Sequence, residues 1–262
     1  MKHRHGQMSE AFLTAALLSA SGGLQDAYTY IARGQVFANA QTGNIVLLSQ
    51  NLFSGDWERV IHYLIPLLFF GFGVAAAEAI RWRFQKVRTV HWRQLVLLVE
   101  ILLLLTVGVL PQRLNLLANA MVSFACAMQV QAFRKVDGYA FASTMCIGNL
   151  RSGVESLMAG GSTGNKKLLL KAGDYFAVIL LFALGAGVGG LLIPKFGSYA
   201  IWFSCILLFL GFLVMFIRED LEENPEIRAA EAAIHQELRD IGHELHSELE
   251  QEQQDIRRNA QK

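Results

Sequence analysis

Charged residues and cysteines are scarce in this sequence. Asp, Glu, Lys and Arg make up 17% of the 262 residues, against about 25% in an ordinary soluble domain. Apolar residues make up 53%, and the mean hydropathy is +0.34. A chain of this composition is too apolar for a water-soluble globular fold, so the sequence predicts an integral membrane protein.

The three cysteines, Cys126, Cys146 and Cys205, lie in apolar stretches and lack the paired spacing of metal ligands. The sequence therefore predicts neither a disulfide framework nor a metal site. It also lacks a glycine-rich phosphate loop, a Ser-His-Asp arrangement and a His-Glu-x-x-His motif. We predict a protein that is not an enzyme and uses no cofactor. Nucleic acid is not an expected partner, because no basic patch is interleaved with aromatic residues.

The net charge of +1 hides an uneven distribution of charge. Residues 219–262 contain 13 acidic and 5 basic residues, whereas the preceding 218 contain 9 acidic and 18 basic ones. The predicted domains are a cytosolic N-terminus (1–10), a first membrane repeat (11–113), a second membrane repeat (114–217) and an acidic, helical, cytosolic tail (218–262).

Six apolar stretches have about the length that a helix needs to cross a bilayer. They are 11–32, 62–80, 94–110, 114–133, 173–193 and 199–217. Two further segments, 36–53 and 139–159, are apolar at many positions but contain amides and hydroxyls and, in the second, Arg151 and Glu155. Whether these two segments cross the membrane decides the topology.

Lysine and arginine predict which loops stay in the cytoplasm. Lys2 and Arg4 predict a cytoplasmic N-terminus, and the five basic residues between Arg81 and Arg93 predict a cytoplasmic loop. An even number of crossings must separate the two, and the first two spans already supply two. Segment 36–53 is therefore predicted to be a re-entrant or broken helix, and the same reasoning applies to 139–159. Both termini would lie in the cytoplasm.

An internal repeat supports this arrangement. At an offset of 105 positions, Gly43 and Asn44 coincide with Gly148 and Asn149, and at an offset of 112, Gly73 coincides with Gly185. Each unit would contain three spans and one re-entrant segment, so the second unit would be inverted relative to the first, as in many transporters. The fold class predicted is an all-α membrane protein with six transmembrane helices in two inverted three-helix repeats.

Two pairs of motifs resemble a known family. The first pair is Gly22–Tyr28 (GGLQDAY) with Val36–Ile45 (VFANAQTGNI), and the second is Met128–Lys135 (MQVQAFRK) with Ser143–Ser152 (STMCIGNLRS). Together they resemble the bacterial YoaK-like membrane family, a domain of unknown function. The resemblance covers roughly residues 11–217, and it implies an inner-membrane location and about six spans.

Asp26 is the first candidate for a functional residue, because an ionisable group within a span is costly. It would form a polar binding site or proton relay with residues of the re-entrant segments; alternatively, it fastens its helix to a neighbouring backbone or to Arg151. The predicted substrate-binding residues are Asp26, Tyr28, Asn39, Gln41, Thr42, Gly43, Asn44, Gln131, Gly148, Asn149 and Arg151.

Glycines are expected to serve two purposes. The Gly43-Asn44 and Gly148-Asn149 pairs are expected to mark helix breaks, where asparagine bonds the freed backbone groups, with simple helix packing as the alternative. Gly71 and the pair Gly185 and Gly189 are expected to allow close helix contacts.

In the tail, apolar residues between 227 and 256 follow heptad spacing and predict pairing with another copy of the chain, with a single free helix as the alternative. The leading functional hypothesis is a transporter or channel for a small solute in the bacterial inner membrane, in contact with the lipid bilayer. The alternative is a non-transporting scaffold or sensor that acts through its C-terminal helix.

Overall fold

The computed structural model describes residues 5–84, 92–136, 139–140 and 143–223. The chain forms two compact units, 1–215 and 216–262. Of the second unit, only residues 216–223 are described, and they are helical. The predicted tail pairing over 227–256 lies outside the described residues.

The described chain is almost entirely helical. Its helices are α1 (His5–Ala32), α2 (Gln41–Ser54), α3 (Trp57–Phe84), α4 (Trp92–Val109), α5 (Asn115–Ala132), α6 (Cys146–Thr163), α7 (Lys166–Phe196) and α8 (Trp202–Glu223). Short 3-10 turns at Gln112–Leu114 and Gly197–Ile201 precede α5 and α8. Two residue pairs, Lys135–Val136 (β1) and Tyr139–Ala140 (β2), form a minimal antiparallel bridge. The all-helical class predicted from composition is therefore confirmed.

Three helical segments are long and apolar enough to span a membrane: Trp57–Phe84, Trp92–Val109 and Lys166–Met215. Large apolar side chains cover their outer faces, including Phe72, Leu102 and Leu191, which are 59%, 56% and 70% exposed. Soluble proteins rarely expose so much contiguous apolar surface. The described structure therefore supports the predicted membrane protein.

Local signals explain where α2 and α6 end. α2 ends at Gly55 (φ 78°) and α6 at Gly164 (φ 66°), and both glycines adopt the left-handed conformation. Glycine has no Cβ to oppose this conformation and is therefore the usual residue there. Asn165 then begins α7, because its side chain accepts a hydrogen bond from the Lys167 N–H at 3.1 Å.

Helix packing follows a regular pattern. α1 packs along α7 and α3 along α5, while α2 lies on α3, α6 on α7 and α4 on α5. Glycines permit the two most extensive helix pairings, α1 with α7 and α3 with α5. A Cβ at Gly185 would lie 2.0 Å from the Ala20 carbonyl oxygen, and a Cβ at Gly73 would lie 2.3 Å from the Phe124 carbonyl oxygen. The expected contact at Gly71 is wrong, since a Cβ there would have open space within 4 Å, and Gly73 makes the contact instead.

Candidate functional site

Non-helical backbone precedes both α2 and α6, and both of these stretches lie against α1 at Gly22. The Gly22 carbonyl accepts a hydrogen bond from Asn39 Nδ2 at 3.2 Å. On the other side, a Cβ at Gly22 would lie 2.3 Å from Thr144 Cγ2, just before α6. At the next position, a Cβ at Gly23 would collide with the Phe182 carbonyl of α7. Gly22 therefore makes room for the segment before α6, and Gly23 makes room for α7.

Asp26 lies one turn further along α1 and holds the chain that leads into α2. Its Oδ1 accepts hydrogen bonds from the Asn39 backbone N–H at 2.7 Å and from Asn39 Nδ2 at 3.4 Å. A carboxylate at a helix N-terminus is favoured by the partial positive charge of the helix dipole. Asp26 thus fastens one segment to another, which was the alternative interpretation of this residue. The contact is made to the backbone of Asn39 and not to Arg151.

Asn44 fixes the segment from within α2. Its Nδ2 donates to the Phe37 carbonyl at 2.6 Å, and its Oδ1 accepts from the Phe37 N–H at 3.0 Å. Gln41 adds a bond from its Nε2 to the Ala38 carbonyl at 2.8 Å. Asn44 therefore bonds the non-helical backbone before α2, as expected, but the Gly-Asn pairs lie in the first turns of α2 and α6 and do not mark breaks within a helix.

A cavity of about 640 Å³ joins Asp26 to the first turns of α2 and α6. α1 contributes Asp26, Ala27, Tyr30 and Ile31. α2 and the residues before it contribute Phe37 and Asn39–Thr42. α6 and the residues before it contribute Thr144–Gly148, and α3 and α7 contribute Phe70, Phe182 and Ala186. The cavity is therefore built from both halves of the chain.

A second, wider depression adjoins this cavity. It measures about 1030 Å³ and is bordered by Asp56, Glu58, Arg59 and His62, among others. Tyr30 and Ile31 line both spaces. The Tyr30 ring also stacks on Phe37, with ring centroids 4.8 Å apart. An aromatic pair therefore lies at the boundary between the polar depression and the cavity.

A separate polar cluster lies inside the helix bundle, next to Asp26 in sequence. Gln25 Nε2 is 3.0 Å from both Ser21 Oγ and Ser204 Oγ and 3.2 Å from Glu100 Oε1. Cys126 Sγ donates to Gln25 Oε1 at 2.7 Å. Glu100 is fully buried, and its Oε2 has no hydrogen-bond partner among the described residues. Gln25 therefore connects α1, α4, α5 and α8 around a buried carboxyl group.

Arg33 is the largest fully buried side chain in the described structure. Its Nη2 donates to the carbonyls of Val107 and Leu110 at 2.9 Å each, at the C-terminal end of α4. Its Nε donates to the Tyr28 hydroxyl at 2.8 Å, and its Nη1 to Asn115 Oδ1 at 3.1 Å. Carbonyl groups at a helix C-terminus attract a cation, so this arginine ties α1 to the start and end of neighbouring helices.

The predicted site residues therefore fall into two groups. Asp26, Asn39, Gln41, Thr42 and Gly148 line the cavity together. The others do not line it: Tyr28 binds Arg33, Gln131 bonds Glu78, Gly43 and Asn44 belong to the body of α2, Asn149 is buried in α6, and Arg151 is exposed.

Sequence reasoning missed the aromatic walls of the cavity. Tyr30, Phe37, Phe70 and Phe182 resemble ordinary core or lipid-facing residues, because aromatic side chains are common in both places. One signal was present, since Phe70 and Phe182 are paired by the same offset of 112 that pairs Gly73 with Gly185. Residues paired by a repeat can meet at the interface between its halves.

These features define a helical membrane protein with a cavity that is lined by both halves of the chain and partly open to the surface. The chain matches, over residues 14–214, the model of a family described as "Protein of unknown function (DUF1275)", and it belongs to that family. It is 26% identical over 203 residues to UPF0700 transmembrane protein YoaK of Bacillus subtilis (strain 168), and the match covers 74% of this chain and 89% of the relative. The predicted YoaK-like family is therefore confirmed. No solved structure matches the chain significantly.

Proposed function

We propose that the protein is a multi-pass transporter or channel for a small solute in the bacterial inner membrane. The observation that carries the proposal is the cavity that joins Asp26 to the first turns of α2 and α6. A pure scaffold has no use for such a cavity, and its interior would be packed. The adjoining polar depression supports the proposal, because it gives the cavity a side lined by charged residues.

Six crossings fit the lengths and charges of the helices. α2 has 14 residues, which at 1.5 Å per residue span about 21 Å, short of the roughly 30 Å hydrocarbon core. α6 carries the exposed residues Arg151 and Glu155, which would be costly against lipid. The proposed topology has α1, α3, α4, α5, α7 and α8 as spans, α2 and α6 as re-entrant helices, and both termini in the cytoplasm.

The packing pattern supports two inverted units. α2 begins at Gln41 and α6 at Cys146, so their starts differ by 105 positions, which is the offset of the Gly-Asn pairs. If α1–α4 correspond to α5–α8, the contact of α1 with α7 has the contact of α5 with α3 as its counterpart. Three crossings per unit would place the halves in opposite orientation, as in transporters that bind their substrate between repeats. The protein would act without covalent chemistry and therefore not as an enzyme.

Blocking the cavity tests the proposal. Gly148 lines it, and a Cβ at this position would meet nothing within 4 Å, so the side chain of Gly148→Trp has room to begin and its indole is large enough to obstruct the cavity. Gly187→Trp is the matched control, because Gly187 is an exposed helical glycine that also has open space around it. The measurement is uptake of a panel of labelled amines, carboxylates, sugars and inorganic ions into proteoliposomes.

We expect the wild type and Gly187→Trp to take up at least one class of solute above the level of empty liposomes. Gly148→Trp should reduce that uptake at least tenfold, while both variants remain monodisperse in detergent. Wild-type protein that carries none of the panel, or uptake that survives Gly148→Trp, would contradict transport through this cavity. The absence of any uptake would favour the scaffold or sensor.

A further inference from the structure

The only full charge among the described residues that line the cavity is negative. Asp26 is the one acidic residue that lines it, and none of its described lining residues is Lys, Arg or His. Each helix N-terminus carries about half an elementary charge, and that of α2 already meets Asp26 Oδ1 through the Asn39 N–H. The carboxylate is the one full charge among the described lining residues, whereas the partial charge of each helix start is spread over several N–H groups.

A hydrogen-bond acceptor beside Asp26 also lacks a donor. Asn39 lines the cavity, and both its backbone N–H and its Nδ2 donate to Asp26. Its Oδ1 is buried and has no partner among the described residues. This oxygen has almost no accessible surface, so a ligand in the cavity does not reach it, and Asn39 serves to orient the Asp26 carboxylate through its two donors.

The remaining walls are aromatic. Tyr30, Phe37, Phe70 and Phe182 line the cavity, with Tyr30 stacked on Phe37. Aromatic faces attract cations, and they also contribute apolar surface to a bound ligand. One carboxylate and four rings together complement an ammonium group attached to an apolar body.

We propose that the cavity binds an organic amine in its cationic form, with the ammonium group at Asp26 and the apolar part between the aromatic rings. This inference rests on the proposed function, because it names the class of solute that the cavity would carry. A cavity of about 640 Å³ accommodates a ligand of one or two rings.

Three probes of similar size separate charge from shape: 2-phenylethylamine, 2-phenylethanol and 3-phenylpropanoate. Binding to the full chain in detergent is measured by isothermal titration at neutral pH, with empty micelles as the blank. We expect the amine to bind at least tenfold more tightly than the alcohol and the carboxylate. Equal affinities, or a preference for the carboxylate, would overturn the proposal.

Asp26→Asn tests the role of the charge, since the new amide oxygen can still accept the Asn39 N–H that Asp26 Oδ1 binds at 2.7 Å. It should reduce the preference for the amine over the alcohol to less than threefold, and a preserved preference would contradict the proposal. Phe70→Leu should weaken amine binding about fivefold. Phe72→Leu, on the same helix but 59% exposed and not lining the cavity, should not. These two variants keep the test valid if Asp26→Asn does not fold.

The uptake assay separates this inference from the proposed function. Uptake of a sugar or a carboxylate, without binding of the amine, would refute the amine site and leave transport in place. Selective binding of the amine without uptake of any solute would refute transport and leave the binding site in place.

Discussion

Gly185 of α7 lies directly against the carbonyl oxygen of Ala20 in α1. A Cβ at Gly185 would come within 2.0 Å of that oxygen, and within 2.9 Å of the Ala20 Cα. Both obstacles are backbone atoms, so a side-chain rotation cannot relieve the clash. The close approach of these two helices at this point therefore requires glycine.

Gly185→Ala is expected to destabilise the protein by about 1–3 kcal/mol, the usual cost of overpacking an interior. Gly187→Ala, two residues away with open space around its Cβ, should be neutral or stabilising by up to about 1 kcal/mol, because alanine favours helix. Thermal unfolding of the two variants in detergent measures the difference. Equal midpoints would show that α1 and α7 are not in the close contact described here.

The sequence predicted this contact in part. Gly73 and Gly185 coincide at the repeat offset of 112, and each meets a backbone carbonyl of a helix in the other half of the chain. The spacing alone could not separate Gly73 from Gly71, because both lie on one apolar helix. Which glycine faces the partner depends on how α3 is rotated against α5, and that is set by packing over the whole helix.

The role of Arg33 could not be predicted. Its position after the first apolar run suggests an ordinary loop cation, whereas it is fully buried among carbonyls of the α4 C-terminus. The acceptors come from residues 74 and 77 positions away in the chain. Backbone acceptors leave no trace in the sequence, so only the folded arrangement reveals them.

Arg33→Ala is expected to lower stability strongly. It removes donors from the Val107 and Leu110 carbonyls and from the Tyr28 hydroxyl. Val107 keeps its bond from the Leu110 N–H at 3.2 Å, and each buried acceptor that is left without a partner costs about 1–3 kcal/mol. Arg59→Ala is the control, because Arg59 is exposed and pairs with Asp56 at 3.5 Å on the surface. Such a pair contributes less than about 1 kcal/mol.

Unfolding midpoints of the two arginine variants in the same detergent test this contrast. A loss at Arg33 no larger than that at Arg59 would mean that the buried hydrogen bonds contribute little. Arg33→Lys adds a second comparison, since lysine retains the charge but cannot bond several carbonyls in the forked geometry of a guanidinium group. The unfolding midpoint of Arg33→Lys should lie between those of the wild type and Arg33→Ala.

The three cysteines report directly on the cavity. Cys146 lines it and is half-buried, whereas Cys126 and Cys205 are 1% and 6% exposed and lie in the helix bundle. A small maleimide should therefore modify one cysteine quickly in the folded protein, and Cys146→Ser should abolish that reaction. Mass spectrometry of the intact protein counts the modified residues. Fast modification of Cys126 would contradict the packing around Gln25.

The re-entrant helices give the topology its sharpest test. If α2 and α6 enter and leave on one face, the loop at Gly55 lies outside the cell and the loop at Gly164 lies in the cytoplasm. If both helices cross, the two loops share one side. Ser54 and Thr163 are the exposed last residues of α2 and α6, so a single cysteine introduced at either position, in a variant lacking the native cysteines, should not disturb packing. A membrane-impermeant thiol reagent added to intact cells should label Ser54→Cys but not Thr163→Cys, and both should react after the cells are permeabilised. Labelling of both, or of neither, in intact cells would rule out the six-span arrangement.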